Sequence, residues 1–135
     1  MNKIVVIASM AAVLAIPFTM NVAHADDLVI KGEQLFKKNC TTCHAMPSEN
    51  KNAFGPSLHG VVGRHSGTAP GYTYSDAMKS INVIWTEDHL GDYLKNPDQY
   101  VEHITYSGRH FIKMAFPGFA EEADRKAVIA FLKAN

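Results

Sequence analysis

Cys40-Thr41-Thr42-Cys43-His44 places two thiols and an imidazole within five consecutive residues, and these are the only two cysteines of the 135-residue chain. Three chemistries use a Cys-x-x-Cys pair. A closed structural zinc site needs four ligands, but there is no second cysteine pair, and His59, His65, His89, His103 and His110 are scattered without a close paired spacing. A thioredoxin-like redox disulfide expects the pair to follow a strand within a βαβ pattern, whereas here it follows a helical stretch. Cys-x-x-Cys-His is also the attachment signature of a c-type haem. Two thiols add to the two vinyl groups along one haem edge, and the adjacent imidazole of His44 then falls beneath the iron as its proximal ligand.

The opposite face of such an iron can be open or hold a second histidine or a methionine, and the choice decides function. Downstream of the motif stand Met46, Met78 and Met114. Met46 lies only two residues beyond His44, on the wrong side of the ring, and Met78 falls in a short helical stretch where packing explains it. Met114 sits in "FIKMAFPGF", an apolar loop before the last helix, from which a side chain can approach the face opposite Cys40 and Cys43. A lone methionine is ordinarily core filler, so these residues by themselves leave the second ligand open.

The elements that must position these groups are helical. "LVIKGEQLFKKNC" puts Leu28, Leu35 and Phe36 on one face, with Asp26 and Asp27 suited to the positive end of the helix dipole, and ends at the cysteine motif. From Met46 to Tyr74 the chain is rich in Gly, Pro and Ser without sustained period, and a long irregular segment in a compact domain usually wraps something. "YSDAMKS" predicts a short helix capped by Ser75. "TEDHLGDYLKN" predicts another, with Thr86 as cap, Glu87 and Asp88 in the first turn, Leu90, Tyr93 and Leu94 on the buried face and a stop at Pro97. "EEADRKAVIAFLKAN" is the clearest helix, with Ala127, Val128, Phe131 and Leu132 in a stripe. "NVIW" is the only short β-like run in this part of the chain, so the expected fold class is all-α, with three to five helices and long loops.

Residues 1–25 read as a cleaved secretory signal: a short basic start, an apolar run interrupted by Pro17, and Ala23-His24-Ala25 as the cleavage pattern. Residues 26–135 then form one domain of 110 residues. Without Lys3, that domain carries twelve basic against thirteen acidic side chains, which gives no electrostatic case for nucleic acid or an anionic membrane. Export permits disulfides, yet a Cys-x-x-Cys bridge closes too short a loop to constrain much unfolded chain. A small core must gain its extra stability elsewhere.

"GPSLHGVVGR", "APGYTYS", Trp85, "YLKNP" and "KMAFPG" occur in the same order as in class I c-type cytochromes of the mitochondrial and bacterial periplasmic type, which the chain resembles from Gly32 to Lys133. The resemblance implies a cytochrome c fold around one haem c, attached through Cys40 and Cys43, with His44 and Met114 as iron ligands. It also implies that the Pro56 carbonyl accepts a hydrogen bond from His44, orienting it and increasing its donor strength. Arg64, Tyr74 and Trp85 would surround a buried propionate, with Tyr72 close by. Tyr93 would hydrogen-bond the Met114 sulfur, Phe116 would stand beside the haem face, and Gly32 and Phe131 would mark a close crossing of the first and last helices.

The implied function is that of a soluble, monomeric one-electron carrier of the periplasm and respiratory chain, not an enzyme. It would meet donor and acceptor complexes through a transient interface, peripheral at most to a membrane. The alternative is a haem enzyme or sensor that binds peroxide, NO or CO after Met114 dissociates.

The chain departs from the family pattern in three ways. The stretch "VEHITYSGRHFIK" before Met114 is about eight residues longer than in the short mitochondrial form, and His103 and His110 within it read as exposed loop residues. Ile112 replaces a usual threonine, and Met78 a frequent asparagine. Both make the pocket more apolar, which disfavours the ferric charge and implies a positive reduction potential. Finally, few edge lysines remain: Lys38 and Lys113 are present, while Asn39, Asp98 and Glu121 stand where lysine is common.

Overall fold

The computed structural model describes residues 22–105 and 112–135, so residues 1–21 of the expected leader and His110 of the extended stretch lie outside the described residues. Among the described residues five helices follow one another: α1 (Val22–Asn39), α2 (Asp76–Ser80), α3 (Glu87–Lys95), α4 (Pro97–Thr105) and α5 (Glu122–Lys133), with a single 3₁₀ turn at Pro47–Glu49. Among the described residues there is no strand. The "NVIW" run instead lies against residues 63–66 through Ser66 N to Val83 O, Trp85 N to Arg64 O and Gly63 N to Trp85 O, which amounts to one isolated bridge between His65 and Ile84.

The frame is the crossing of α1 and α5. The stripe Ala127, Val128, Phe131 and Leu132 is buried, as is Phe36 on the facing helix, and the Phe36 and Phe131 rings stand 5.3 Å apart. Gly32 makes the crossing close. A Cβ there would lie 2.0 Å from the Ala127 carbonyl oxygen and 2.8 Å from the Phe131 Cβ.

The short helices keep the predicted caps. Ser75 Oγ accepts from Met78 N, and Thr86 Oγ1 from His89 N at 3.2 Å. Helix α3 buries Leu90 and Leu94, and it stops because the residue before a proline is pushed out of helical geometry: Asn96 is extended, at φ −161°, ψ 98°. Pro97 does more than stop α3. Its fixed φ also suits the first position of a helix, and with Asn96 Oδ1 accepting from Gln99 N at 3.1 Å it opens α4. Helix α4 was not expected from the sequence, and it corrects the placement of His103, which lies in the last turn of a helix rather than in a loop. Helix α1 also begins earlier than expected, at Val22, so that Asp26 and Asp27 fall in its second turn.

The long segment from Met46 to Tyr74 is irregular apart from the 3₁₀ turn, as its composition predicted. The Asn52 side chain stitches it together, donating to Pro70 O at 2.9 Å and accepting from Ser57 N at 2.7 Å.

Candidate functional site

The loop, the end of α1, α3, α5 and the segment before α5 enclose one cavity, with about 1300 Å³ of empty space counting its open mouth. Cys40, Cys43, His44, Pro56, Arg64, Tyr72, Tyr74, Trp85, Tyr93, Met114 and Phe116 all line it, so every site residue singled out in the sequence meets at this place. Met78 and Ile112 line it as well, in keeping with an apolar wall, whereas Met46 packs on the core without reaching the cavity.

Helix α1 delivers the cysteine motif as it unwinds. The amides of Cys43 and His44 both bond to the Cys40 carbonyl, at 3.0 and 2.8 Å, which turns the chain so that all three side chains reach one cavity edge. Both thiols are free. Burial, with Cys43 beside it, pushes Cys40 up to about 11, so it is a neutral thiol at ordinary pH.

His44 is buried, and its Nδ1 lies 2.9 Å from Pro56 O. A carbonyl only accepts, so Nδ1 carries the proton and Nε2 keeps its lone pair. Burial holds the imidazole below its ordinary pKa, partly opposed by the Pro56 carbonyl, which favours the neutral form that a metal ligand requires. Gly55 completes the seat. A Cβ on it would stand 2.5 Å from His44 Cε1, 2.7 Å from Nδ1 and 2.9 Å from Nε2, so only the bare backbone can lie against this ring.

Met114 reaches the same cavity from the segment before α5, and the Tyr93 hydroxyl donates toward its sulfur at 4.0 Å. Phe116 meets Phe119 edge-on at 5.0 Å, and the Trp85 and Tyr93 rings lie tilted to each other at 4.9 Å. Burial raises the Tyr93 phenol well above its ordinary pKa, so it stays a donor. The Lys113 ammonium donates to Thr73 O at 2.8 Å, fastening the methionine segment to the tyrosine loop.

At the polar end, Arg64 donates to His59 O at 3.0 Å and to Ser57 O at 2.8 Å. No carboxylate among the described residues pairs with it. Burial pulls its guanidinium below the ordinary value, a cost that an anionic group beside it would offset. Tyr72 and Tyr74 meet edge-on at 4.8 Å; the Tyr72 hydroxyl donates to Phe54 O, and the Tyr74 oxygen accepts from Ala69 N.

This donor set fits a covalently held haem. Two thiols stand at an edge, an imidazole nitrogen and a thioether are available within an apolar cavity, and a half-buried cation with no carboxylate partner among the described residues is placed to meet a propionate. Two contributors escaped the sequence reading. Gly55 was within reach through "GPSLHG", but a glycine that faces a ring looks in a sequence like any loop glycine. Phe54 lines the mouth while remaining 86% exposed, and nothing in its neighbours marks it.

Comparison with known proteins gives one family. The cytochrome c family model matches residues 29–135. Cytochrome c of Kluyveromyces lactis is 42% identical over 102 residues, 76% of this chain and 86% of the relative. Cytochrome c of Sesamum indicum is 43% identical over 105 residues, 78% of this chain and 87% of the relative. Among solved structures, cytochrome cH from Methylobacterium extorquens is similar at a TM-score of 0.68 and 34% identity, covering 79% of this chain and 98% of that one.

Proposed function

This chain belongs to the cytochrome c family, an electron carrier with one covalent c-type haem, and from that premise we propose which of its residues do the work. Cys40 and Cys43 are the thioether anchors, His44 the proximal ligand and Met114 the distal one. The observation that carries this assignment is His44 itself: its Nδ1 is engaged by Pro56, so Nε2 is free to ligate within a cavity that Met114 also lines.

The haem supplies an iron that takes up one electron and gives it back. The chain does the rest. Pro56 and Gly55 fix the plane of the imidazole. Tyr93 steadies the thioether by directing its hydroxyl toward the sulfur. Arg64, Tyr72, Tyr74, Trp85, Phe116, Ile112 and Met78 all line the cavity; there the first four would hold a propionate, and the last three would keep water from the ring. An apolar wall disfavours the extra positive charge of the ferric state, and a thioether ligand acts in the same direction. The reduction potential is therefore positive.

With His44 and Met114 both ligating the iron, no place would remain for a substrate, in keeping with a carrier rather than an enzyme. Its redox partners bind briefly, through an interface of under about 1,200 Å². We assign residues 1–25 to a removed secretory signal, residues 26–135 to the haem domain, and the site of action to the periplasm as a monomer, peripheral at most to the membrane, in a respiratory chain. No helix among the described residues is long and apolar enough to cross a membrane. Cleavage after Ala25 would leave α1 beginning on Asp26 and Asp27, which suits the positive end of its dipole. N-terminal sequencing of the exported protein should read Asp-Asp-Leu, and a retained leader would overturn that boundary.

The ligand assignment is tested by the absorption spectrum of the ferric protein. An iron to thioether bond gives a weak charge-transfer band at the red end. Met114→Ala should abolish it, and Met78→Ala, in the same cavity, should leave it. Persistence of the band in Met114→Ala would place the second ligand elsewhere.

A further inference from the structure

Residues 112–119 carry Met114 past the cavity as an extended strap, with neither helix nor strand. Ile112, Met114 and Phe116 are buried or half-buried, while Lys113, Ala115 and Pro117 between them are exposed. Such a strap has no ladder to stiffen it: among the described residues its only backbone-to-backbone hydrogen bond is Phe119 N to Leu94 O, at 2.8 Å. What holds it lies at its two ends. One residue before Met114, the Lys113 ammonium donates to Thr73 O. Four residues after it, Gly118 stands at φ 99° and so close to the end of α3 that a Cβ would lie 2.1 Å from Lys95 O. The Phe119 amide then satisfies Leu94 O, one of the last carbonyls of α3, which have no partner inside the helix.

Arg125 closes this end from the other side. It stands near the start of α5, where a cation opposes the helix dipole, and no carboxylate among the described residues forms an ion pair with it. Its guanidinium goes instead to the strap: Nη1 donates to Phe119 O and to Ala120 O, each at 2.7 Å. Hydrogen bonds from an ionised donor are the stronger kind, and a donor shared by two successive carbonyls fixes the direction of the chain as well as its distance from α5. Arg125 does not line the cavity.

We propose that Arg125 is a positioning residue for the distal ligand: by clamping Phe119 O and Ala120 O it holds the strap shut and sets how often the Met114 sulfur leaves its place. The strap opens between its tie to Thr73 and its tie to α3, a local event that leaves the crossing of α1 and α5 intact. A small outside ligand reaches the distal position only in the open state, so its apparent affinity reports the population of that state. Loss of the clamp raises that population, and the affinity rises with it.

The inference rests on the ligand assignment above, whose own failure would be visible beforehand as a ferric parent protein without the red charge-transfer band. The test titrates ferric holoprotein with imidazole, follows the loss of that band, and measures denaturant unfolding alongside. Arg125→Gln should raise the imidazole affinity about tenfold, as the loss of one hydrogen bond to a charged donor would. Arg125→Lys keeps a cationic donor and should return the affinity to within about threefold of the parent. Phe131→Leu loosens the crossing of α1 and α5 away from the cavity, so it should lower the unfolding midpoint and leave the imidazole affinity unchanged. A merely structural Arg125 would give the same pattern as Phe131→Leu, and that result overturns the clamp. An affinity that rises equally in Phe131→Leu overturns it as well, because it would then follow global stability. If Arg125→Gln does not fold, amide hydrogen exchange in the parent decides: saturating imidazole should speed exchange at Phe119 and leave Val128, within α5, unchanged. Equal protection of Phe119 with and without imidazole overturns the proposal.

Discussion

Gly55 acts on His44 by having no side chain. A Cβ at this position would press on three atoms of the imidazole, at 2.5 to 2.9 Å, while the ring's Nδ1 is already tied to Pro56 O. Neither neighbour can yield without losing the Nδ1 hydrogen bond that aims Nε2. Adding even one methyl to such a site forces strain of about 1–3 kcal/mol. Gly55→Ala should therefore lower the unfolding free energy by that amount and shift the reduction potential, as read by denaturant titration and redox titration. Gly91→Ala is the matching control. It lies within α3, the nearest atom to its added Cβ would be Ile129 Cδ1 at 4.0 Å, and alanine is a better helix former by up to about 1 kcal/mol. Equal stability of the two variants would refute the role given to Gly55. At this scale the sequence was legible where chemistry names a residue type, as for Cys40, Cys43 and His44, whereas Met114 stood out only through the family resemblance. It was opaque where the contribution is an absence of atoms.

At the scale of elements, the crossing of α1 and α5 sets where the cysteine motif ends up. Gly32 lets the α1 backbone lie directly on the Ala127 carbonyl, and Phe36, one turn further on, then meets Phe131 and lines the cavity. Any side chain at Gly32 meets backbone, which cannot rotate aside. Gly32→Leu should separate the helices and lower stability by at least the upper end of the about 1–3 kcal/mol typical of overpacking. A denaturation midpoint equal to that of the parent would show that the helices do not cross as described. These two helices were legible because their apolar spacing is long and regular, and α3 because Thr86, the acidic first turn and Pro97 mark both its ends. Helix α4 was not legible. Its buried apolar face consists mainly of Val101, with Tyr100 and Ile104 packed at the edge, which is too little periodicity to read in nine residues, and its first residue, Pro97, also serves as the stop signal of α3. Trp85 and the run before it looked like a strand because β-branched residues suit extended chain, but the run opens on Asn82 at φ 45° and pairs only with a loop.

For the whole molecule, the walls of the cavity are also the hydrophobic core: Phe36, Val61, Trp85, Leu90, Leu94, Ile112, Val128 and Leu132 belong to both. An interior organised this way leaves recognition of partners to the rim, and the rim is electrostatically mixed. Lys113 is committed to Thr73 O, and Asn39, at the cavity edge, contributes no charge. Elsewhere on the surface, Lys31, Lys37, Lys79, Lys126 and Lys133 each pair with a carboxylate. Over residues 26–135 the twelve basic and thirteen acidic side chains nearly cancel. Electrostatic steering needs a potential of one sign over the approach surface, and its effect on rate shrinks as salt shortens the Debye length from about 30 Å at 0.01 M to about 10 Å at 0.1 M. With charges this balanced, little steering exists to be screened. Electron transfer between the reduced protein and a redox partner, followed by stopped flow, should therefore change by less than about threefold over that salt range, where a strongly one-signed carrier would lose far more. A steep fall would mean that a local patch governs the encounter despite the overall balance. Charge reversal at Lys38, which is exposed and makes no ion pair in the described structure, should then reproduce that fall at constant salt.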